Sequence, residues 1–261
     1  MFRLLARKPK VIERRVITLA LGDGNEIEID LLRHPRARRI KLLVDERGVR
    51  LTLPVRASER LALQFAGEHR DWLRTQLAAL EVETRFDFRI AEGAALPLHG
   101  GSELLRWQPA RLTRLVRDGD GLRFDVRGLD GLVGALPTPA VKRALRDFYE
   151  AEARADIARW LPLYSEGLPR LPARVVLKRL HAQWGSLTSR AVMTLDLALV
   201  IARPSAFEYV LVHELCHLLH HDHSRAFWRE VEARCRHWRV ERDYLHGEGR
   251  RLKATMRALA G

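Results

Sequence analysis

Two histidines and a glutamate stand at a spacing that suits metal chemistry. His213, Glu214 and His217 form the pattern HExxH. On a helix, residues four apart differ by about 40° around the axis and about 6 Å along it, so both imidazoles can reach one ion. Glu214 follows His213 at about 100° and would lie beside that ion, where its carboxylate can take a proton from water. Imidazole ligands and a tetrahedral site with one open position favour zinc.

The residues around this motif are mostly apolar, which predicts a buried helix. The apolar positions are Phe207, Val210, Leu211, Val212, Leu215, Leu218 and Leu219. Burying polar groups without partners is costly, and a bound metal would give the polar triplet a reason to lie inside such a helix. The alternative is a set of ordinary core histidines, since a chain with eleven histidines can contain HExxH by chance.

The third ligand has to come from the residues that follow, which are His220, His221, Asp222 and His223. If the helix continued, His220 would lie about 7–8 Å beyond the midpoint of the first two histidines, whereas zinc–nitrogen bonds are about 2.0–2.1 Å. The chain must therefore turn back, and Asp222 is a residue type that tolerates the left-handed conformation of such a turn. We predict His223 as the third ligand. The spacing HExxHxxxxxH is that of metzincins, but His220 occupies the position of their glycine, which argues against that assignment.

Composition excludes several classes of protein. The chain has 261 residues, 46 Lys+Arg and 33 Asp+Glu, for a net charge of +13, and 47% of its residues are hydrophobic, enough for a packed core. Its two cysteines, Cys216 and Cys235, lack the spacing of a zinc ribbon and rule out a disulfide scaffold. The most apolar stretch, 206–219, is too short and too polar for a membrane span, and the N-terminal residues lack the apolar core of a signal peptide. We expect a cytoplasmic protein without a membrane partner.

Strands dominate the first half of the chain. Alternating apolar and polar residues predict two strands within 16–30, a hairpin of 40–44 and 49–53, and further short strands within 96–136. Between them, Ser58 can cap one helix over 58–80, in which apolar residues recur at helical spacing. Pro137 and Pro139 then mark a boundary.

Helices dominate the second half. Residues 140–161 are rich in Ala, Arg and Glu without internal Gly or Pro, which predicts a helix. The predicted fold class is therefore α+β. It consists of a strand-rich N-terminal region, 1–137, with the one helix over 58–80, and a helical C-terminal core, 138–261, built on the HExxH helix.

Several blocks of residues keep the order and spacing of a known family. They are Arg36-Ala37-Arg38-Arg39, Gly48, Pro54, Trp72, Trp184-Gly185-Ser186, Leu195-Asp196-Leu197, Pro204, Tyr209-Val210, the HExxH residues, His223-Ser224 and Phe227-Trp228. On these residues the chain resembles the YgjP-like zinc metallopeptidases, which are related to the SprT and WLM proteins. It departs from them at Gln183, where the family usually has arginine, and at Leu187, where it has cysteine. The resemblance implies a zincin-like core that holds Zn²⁺ through His213, His217 and His223, with Glu214 as catalytic acid and base.

The sequence also suggests roles for several residues near the motif. Gly185 can allow a close backbone approach beside the metal, or it can belong to a turn packed by Trp184. Residues 193–200 are predicted as a strand of the kind whose edge can hold an extended peptide. Cys216 is predicted to point away from the metal and to be buried and inert. Oxyanion stabilisation could fall to any of His181, Arg225, His237, Tyr244 and His246.

Three functions are compatible with these residues. The first is a zinc-dependent hydrolase that cleaves peptide bonds in a peptide or protein substrate. The second keeps the metal site but hydrolyses nucleotides to release pyrophosphate, although the chain has no P-loop. The third is a nucleic-acid-associated protein, in which the basic run 33–39 binds the phosphate backbone. A solvated, arginine-rich surface is the alternative explanation of the charge, and the sequence indicates no oligomeric state.

Overall fold

The computed structural model describes residues 12–22, 24–45, 48–84, 86, 88–119, 121–180 and 183–261. Its mixture of sheets and helices confirms the predicted α+β class. Contacts divide the chain into two units, Met1–Arg85 and Phe86–Gly261, and each has its own buried core. In the described part, none of the helices combines the length and the apolar character that crossing a bilayer requires.

The first unit is a four-stranded sheet covered by two helices. Its elements are β1 (Glu13–Gly22), β2 (Asn25–Arg33), β3 (Lys41–Asp45), β4 (Gly48–Leu53), α1 (Glu59–Glu68) and α2 (Arg70–Thr84). The sheet order is β1-β2-β4-β3, with antiparallel pairs β1/β2 and β3/β4 that confirm the predicted strands and hairpin. The central strands β2 and β4 run parallel. Alternate strand residues, such as Leu31 and Leu51, are buried in a core shared with Leu73 of α2.

The predicted single helix over 58–80 is instead two consecutive helices. His69 separates them, with φ −104° and ψ 21°, and its Nδ1 lies 2.8 Å from the carbonyl oxygen of Phe65. Ser58 occupies the position before α1, but its side chain makes no capping hydrogen bond. Gly67 lies within the last turn of α1 and not after its end, so the usual signal of a helix end, a glycine just past the last helical residue, is missing from the sequence.

The second unit begins with another four-stranded sheet. Its strands are β5 (Ala95–Leu98), β6 (Gly101–Pro109), β7 (Arg114–Asp118) and β8 (Gly121–Val126), in the order β5-β6-β8-β7. A short 3₁₀ helix, Leu129–Gly131, leads to the long helix α3 (Pro139–Trp160), which confirms the predicted helix over 140–161. Thr138 caps α3 by accepting a hydrogen bond from the backbone N–H of Val141.

The division between the two units lies at Arg85/Phe86, whereas the sequence placed a boundary at 137/138. The strands β5–β8 bury Leu96 and Phe124 in the same core as Leu145 and Tyr149 of α3. Tyr149 also donates a hydrogen bond from its hydroxyl to the carbonyl oxygen of Pro97 at 3.0 Å. The two prolines therefore mark a turn inside one packed unit.

The remaining elements form the layer that carries the HExxH residues. They are a 3₁₀ helix (Leu161–Tyr164), β9 (Arg174–Lys178), β10 (Gly185–Leu187), β11 (Val192–Asp196), a second 3₁₀ helix (Leu197–Ile201), α4 (Pro204–Cys216), α5 (Arg225–Arg234) and α6 (Trp238–Ala260). The three strands form a sheet in the order β10-β11-β9. The central strand β11 is antiparallel to β10 and parallel to β9.

The strand predicted over 193–200 ends early, at Asp196. The carboxylate of Asp196 accepts a hydrogen bond from the backbone N–H of Ala198 at 2.9 Å, which starts the 3₁₀ helix instead of further strand. Because β11 is the central strand, the edge strand beside α4 is β10, whose outer side pairs with no strand of the described residues. The expected edge strand is thus supplied by residues 185–187.

Candidate metal centre

Helix α4 positions the first two histidines. Pro204 stands in its first turn, where the fixed φ and the missing N–H of proline are tolerated. The helix is buried on nearly every side and ends at Cys216, so His213 lies in its last turn. His217 follows directly with helical angles, φ −68° and ψ −12°, and its N–H bonds back to the carbonyl oxygen of Glu214. The two imidazoles therefore keep the helical spacing on which the sequence argument relied.

The chain turns back after α4 and brings a third imidazole to the first two. The N–H of His220 bonds to the carbonyl oxygen of Cys216 at 3.0 Å. One side-chain nitrogen from each of His213, His217 and His223 lies within 4.8 Å of the others. The ring centroids are 4.9 to 5.1 Å apart. We call these three residues the histidine triad.

The turn does not use the left-handed conformation that we expected at Asp222. Among the described non-glycine residues, positive φ occurs at His99 and Ala191. Asp222 instead accepts a hydrogen bond on Oδ1 from the N–H of Ser224, two residues later, at 3.1 Å. Ser224 in turn caps α5. A side-chain hydrogen bond thus replaces backbone strain, a known use of Asp in turns.

Hydrogen bonds orient the rings of the histidine triad. Nδ1 of His217 lies 3.0 Å from the carbonyl oxygen of His220. If that nitrogen carries the proton, Nε2 is left as the free donor atom, which is the usual arrangement for a metal-binding histidine. Nε2 of His223 lies 3.1 Å from Nε2 of His213. Two such nitrogens can share a proton, or both can face a cation between them.

Burial lowers the pKa of His213 to about 3, with smaller contributions from the other two histidines. This ring is therefore neutral, which is the form that binds metals.

Two aromatic residues of α5 support the histidine triad. Phe227 is fully buried, and its ring centroid lies 4.9, 4.6 and 4.9 Å from those of His213, His217 and His223. Trp228 lies 5.7 Å from His213 and 5.8 Å from His223, and it stacks on Trp238 at 4.3 Å. Packing of this kind restricts ring rotation and excludes water from one side of the site. Phe227 and Trp228 follow His223 by four and five residues, and this spacing alone does not indicate that they contact the histidine triad.

Glu214 is held against the backbone of β10. The residue is buried, with 4% of its surface exposed, and burial raises the pKa of its carboxyl to about 8. Its Oε2 is buried and has no hydrogen-bond partner among the described residues. A Cβ atom placed on Gly185 would lie 2.5 Å from Oε1 and 2.7 Å from Cγ of Glu214. Only glycine fits this approach. The sequence suggested a close backbone approach at Gly185, and in the structure the side chain that makes this approach is that of Glu214.

We expect Gly185→Ala to push the Glu214 carboxylate out of place, and any activity that depends on this carboxylate to fall by on the order of 100-fold. The fold should survive, since φ at Gly185 is outside the left-handed region and the colliding atoms belong to a flexible side chain. Steady-state kinetics of that activity would measure the loss.

The matched control for this substitution is Gly247→Ala in α6, where a Cβ would meet no atom within 4 Å. This variant should keep full activity. Metal content should be equal in both variants, because neither glycine contacts the histidine triad. An active Gly185→Ala enzyme would contradict the positional role of the Gly185–Glu214 contact.

A lysine of α6 holds the chain that leads into β10. Nζ of Lys253 lies 3.2 Å from Oδ2 of Asp196, and it donates to the carbonyl oxygens of Leu180 and Gln183 at 3.2 and 2.9 Å. The ammonium group also lies 4.5 Å from the ring centroid of Trp184. Asp196 donates its own N–H to the carbonyl oxygen of Trp184 at 2.8 Å. We call this set of contacts the Lys253 clamp. It fixes the residue that precedes Gly185.

Cys216 and the candidates for oxyanion stabilisation lie in different surroundings. Cys216 is buried, and burial raises the pKa of its thiol to about 12, so the group stays protonated beside the histidine triad. Tyr244 is covered by the guanidinium of Arg203, 4.2 Å from the ring centroid. Arg225, His237 and His246 are exposed, and His181 lies outside the described residues. No oxyanion role is assigned among them.

Comparison with known proteins gives one family match. Residues 38–248 match the model of the YgjP-like metallopeptidase domain, a range that contains the histidine triad and Glu214. Among solved structures, the crystal structure of the metallopeptidase zymogen of Pyrococcus abyssi abylysin is 24% identical. The alignment covers 39% of this chain and 96% of that chain, with a TM-score of 0.28. No curated protein matches the sequence.

Proposed function

The chain belongs to the YgjP-like metallopeptidase family, and from this premise we propose that it is a zinc-dependent peptidase. The observation that carries the proposal is the convergence of three imidazole nitrogens within 4.8 Å, next to a buried carboxylate. In the proposal, His213, His217 and His223 hold the ion and Glu214 is the catalytic acid and base.

The donor set fits zinc. Three protein ligands with nitrogen atoms leave a fourth position for water or substrate, as in catalytic zinc sites. Calcium and magnesium prefer oxygen ligands, which the histidine triad does not offer. In the described part of the chain, the buried Nδ1 of His213 and the buried Oε2 of Glu214 have no hydrogen-bond partner, which supports a role beyond packing. When bound, zinc supplies a Lewis acid that polarises a carbonyl group and makes water more acidic.

Glu214 moves the proton in this proposal. A cation held by the three histidines would favour the ionised form of the Glu214 carboxyl, whose Oε2 can then accept a proton from the water that attacks the peptide carbonyl carbon. The bond between that carbon and the amide nitrogen then breaks, and Glu214 delivers the same proton to the leaving amine. Gly185 keeps the carboxylate in place during both transfers. Phe227 and Trp228 keep water away from one side of the imidazoles.

The free edge of β10 is the proposed position of the substrate. β10 pairs with β11 on one side and lies at the edge of its sheet on the other. An extended peptide can pair with such an edge through main-chain hydrogen bonds. Gly185, which touches Glu214, is the first residue of this strand, so a peptide bound there passes beside the proton carrier. Extended peptides and unfolded proteins should therefore be better substrates than folded ones.

Removal of metal tests the proposal. A zinc-binding chelator should abolish cleavage of a mixed library of quenched fluorescent peptides, and added zinc should restore it. Magnesium or calcium should not restore cleavage, because both ions bind imidazole poorly. Initial rates before and after dialysis, together with metal content by mass spectrometry, give the result.

Two outcomes would contradict a zinc peptidase. One is peptide cleavage that continues after all metal has been removed. The other is a silent peptide library together with phosphate or pyrophosphate release from a nucleotide panel by the zinc-loaded protein. That second outcome would favour the nucleotide hydrolase that the sequence left open.

A further inference from the structure

Several chain segments begin at the same end of the sheet in the first unit. Because β2 and β4 run parallel, with Arg33 opposite Leu53, their carboxyl ends meet at the same end of the sheet. The segment 34–40 leaves from the end of β2, and the segment 54–58 leaves from the end of β4. β3 starts at this end too, since Lys41 is opposite Thr52. The topology thus places residues that are distant in sequence beside one another.

These segments carry an unusual number of cations. Five basic side chains lie on these segments and a sixth, Arg60, lies in the first turn of α1, and we call the six the basic end: Arg36, Arg38, Arg39, Lys41, Arg56 and Arg60. All six are exposed. Within the part of the chain that the structure describes, none of the six side chains has an ion pair or a hydrogen bond. Other arginines of the same unit do have such partners, for example Arg14 with Asp30 and Arg74 with Asp71.

The carboxylates near the basic end are already paired with other arginines. Glu13 lies 3.3 Å from Arg33, and Glu59 forms an ion pair with Arg15. Arg33 also donates to the carbonyl oxygen of Ala57 at 2.7 Å, which ties the two segments together. The described residues of the unit therefore do not neutralise the six charges of the basic end. Mutual repulsion of like charges lowers stability, so a cluster of this kind points to an external anion.

We propose that the basic end binds the phosphate backbone of nucleic acid without reading the bases. Five of the six residues are arginines, whose planar fork donates two parallel hydrogen bonds to a phosphate group. A nucleic acid presents phosphates at regular short intervals, so one strand can engage several of these side chains together. The surface is distinct from the histidine triad and needs no metal.

A membrane surface fits the basic end less well. The exposed large apolar side chains near it are Ile12, Val55 and Leu61, which lie on three separate segments. Insertion into a lipid interface needs a continuous apolar face beside the basic residues, and these separate side chains do not form one. Anionic lipid is therefore treated as an outcome of the test.

The test compares two triple variants of the full chain. One replaces Arg36, Arg38 and Arg39 by glutamine. The matched control makes the same change in charge at exposed arginines of the second unit that also lack partners in the described part of the chain: Arg111, Arg127 and Arg143. Fluorescence anisotropy with labelled single-stranded and duplex oligonucleotides, over a series of salt concentrations, gives Kd and its salt dependence.

We expect the wild-type protein to bind at low salt, with log Kd rising linearly with log salt. The basic-end variant should lose about three units of that slope, roughly one for each phosphate contact removed, while the control keeps the wild-type slope. A second variant, Arg56→Gln with Arg60→Gln, should lose about two units. Thermal unfolding of each variant verifies that it is folded.

Three results would overturn the proposal: no oligonucleotide binding by the wild-type protein at low salt, equal losses in the basic-end and control variants, or binding to anionic vesicles in place of nucleic acid. The readout does not involve hydrolysis, so Glu214→Gln should bind oligonucleotides as the wild type does. Failure of this proposal therefore leaves the peptidase proposal unaffected.

Discussion

Glu214→Gln is expected to reduce kcat/KM for peptide hydrolysis by about 10²- to 10⁴-fold, the usual contribution of a general acid and base. Glutamine has nearly the same shape and fits beside Gly185, but its amide cannot accept a proton and pass it on. The three imidazoles are untouched, so the zinc content should stay at the wild-type value. Kinetics on a fluorogenic peptide and metal analysis of the same sample measure both quantities.

The control for this substitution is Glu232→Gln on α5, an exposed residue that pairs with Arg239 at the surface. It should leave both kcat/KM and zinc content unchanged. The proposed role of Glu214 would be refuted by a glutamine variant that retains wild-type turnover. A variant that loses its zinc along with its activity would instead indicate a structural role for the carboxylate.

His223→Ala is expected to lower zinc affinity by more than about 100-fold, because loss of a ligand should exceed the 10- to 100-fold effect of losing a residue that merely supports one. His213 and His217 alone leave the ion with two protein ligands. Peptide hydrolysis should fall to the level of the metal-free protein. His223 is exposed, so its removal should change the thermal unfolding of metal-free protein little. Zinc titration with a competing chelator measures the affinity.

A neighbouring histidine provides the matched control. His221 is exposed in the same turn and lies outside the histidine triad. His221→Ala should therefore retain zinc and activity. Equal zinc affinity in the two alanine variants would contradict a three-histidine site.

Features set by local geometry could be predicted from the sequence. Helical spacing alone placed His213 and His217 on one face, and bond lengths required a return of the chain that pointed to His223. Alternation of apolar and polar residues located the strands of the first unit, which the observed register confirms. The ligand roles themselves stay a prediction.

Features set by contacts between distant residues could not be predicted. Gly185 and Glu214 meet only because β10 packs beside α4, and Lys253 reaches Asp196 from a helix near the end of the chain. The same limit explains the boundary placed at 137/138, since the shared core of β5–β8 and α3 depends on tertiary packing. In the turn after α4, a hydrogen bond from Ser224 to Asp222 took the place of the left-handed residue that we expected.

The Lys253 clamp bears on how short an active form of this protein can be. The range matched by the family model ends at residue 248, so it contains the proposed ligands and Glu214 but omits Lys253. It also omits Leu252, Met256 and Leu259, which α6 buries in the core of the second unit. A chain trimmed to the matched range would keep every residue with a proposed chemical role but would lose the support of the strand against which Glu214 rests. We therefore expect the smallest active form to extend beyond the matched range and to include the whole of α6.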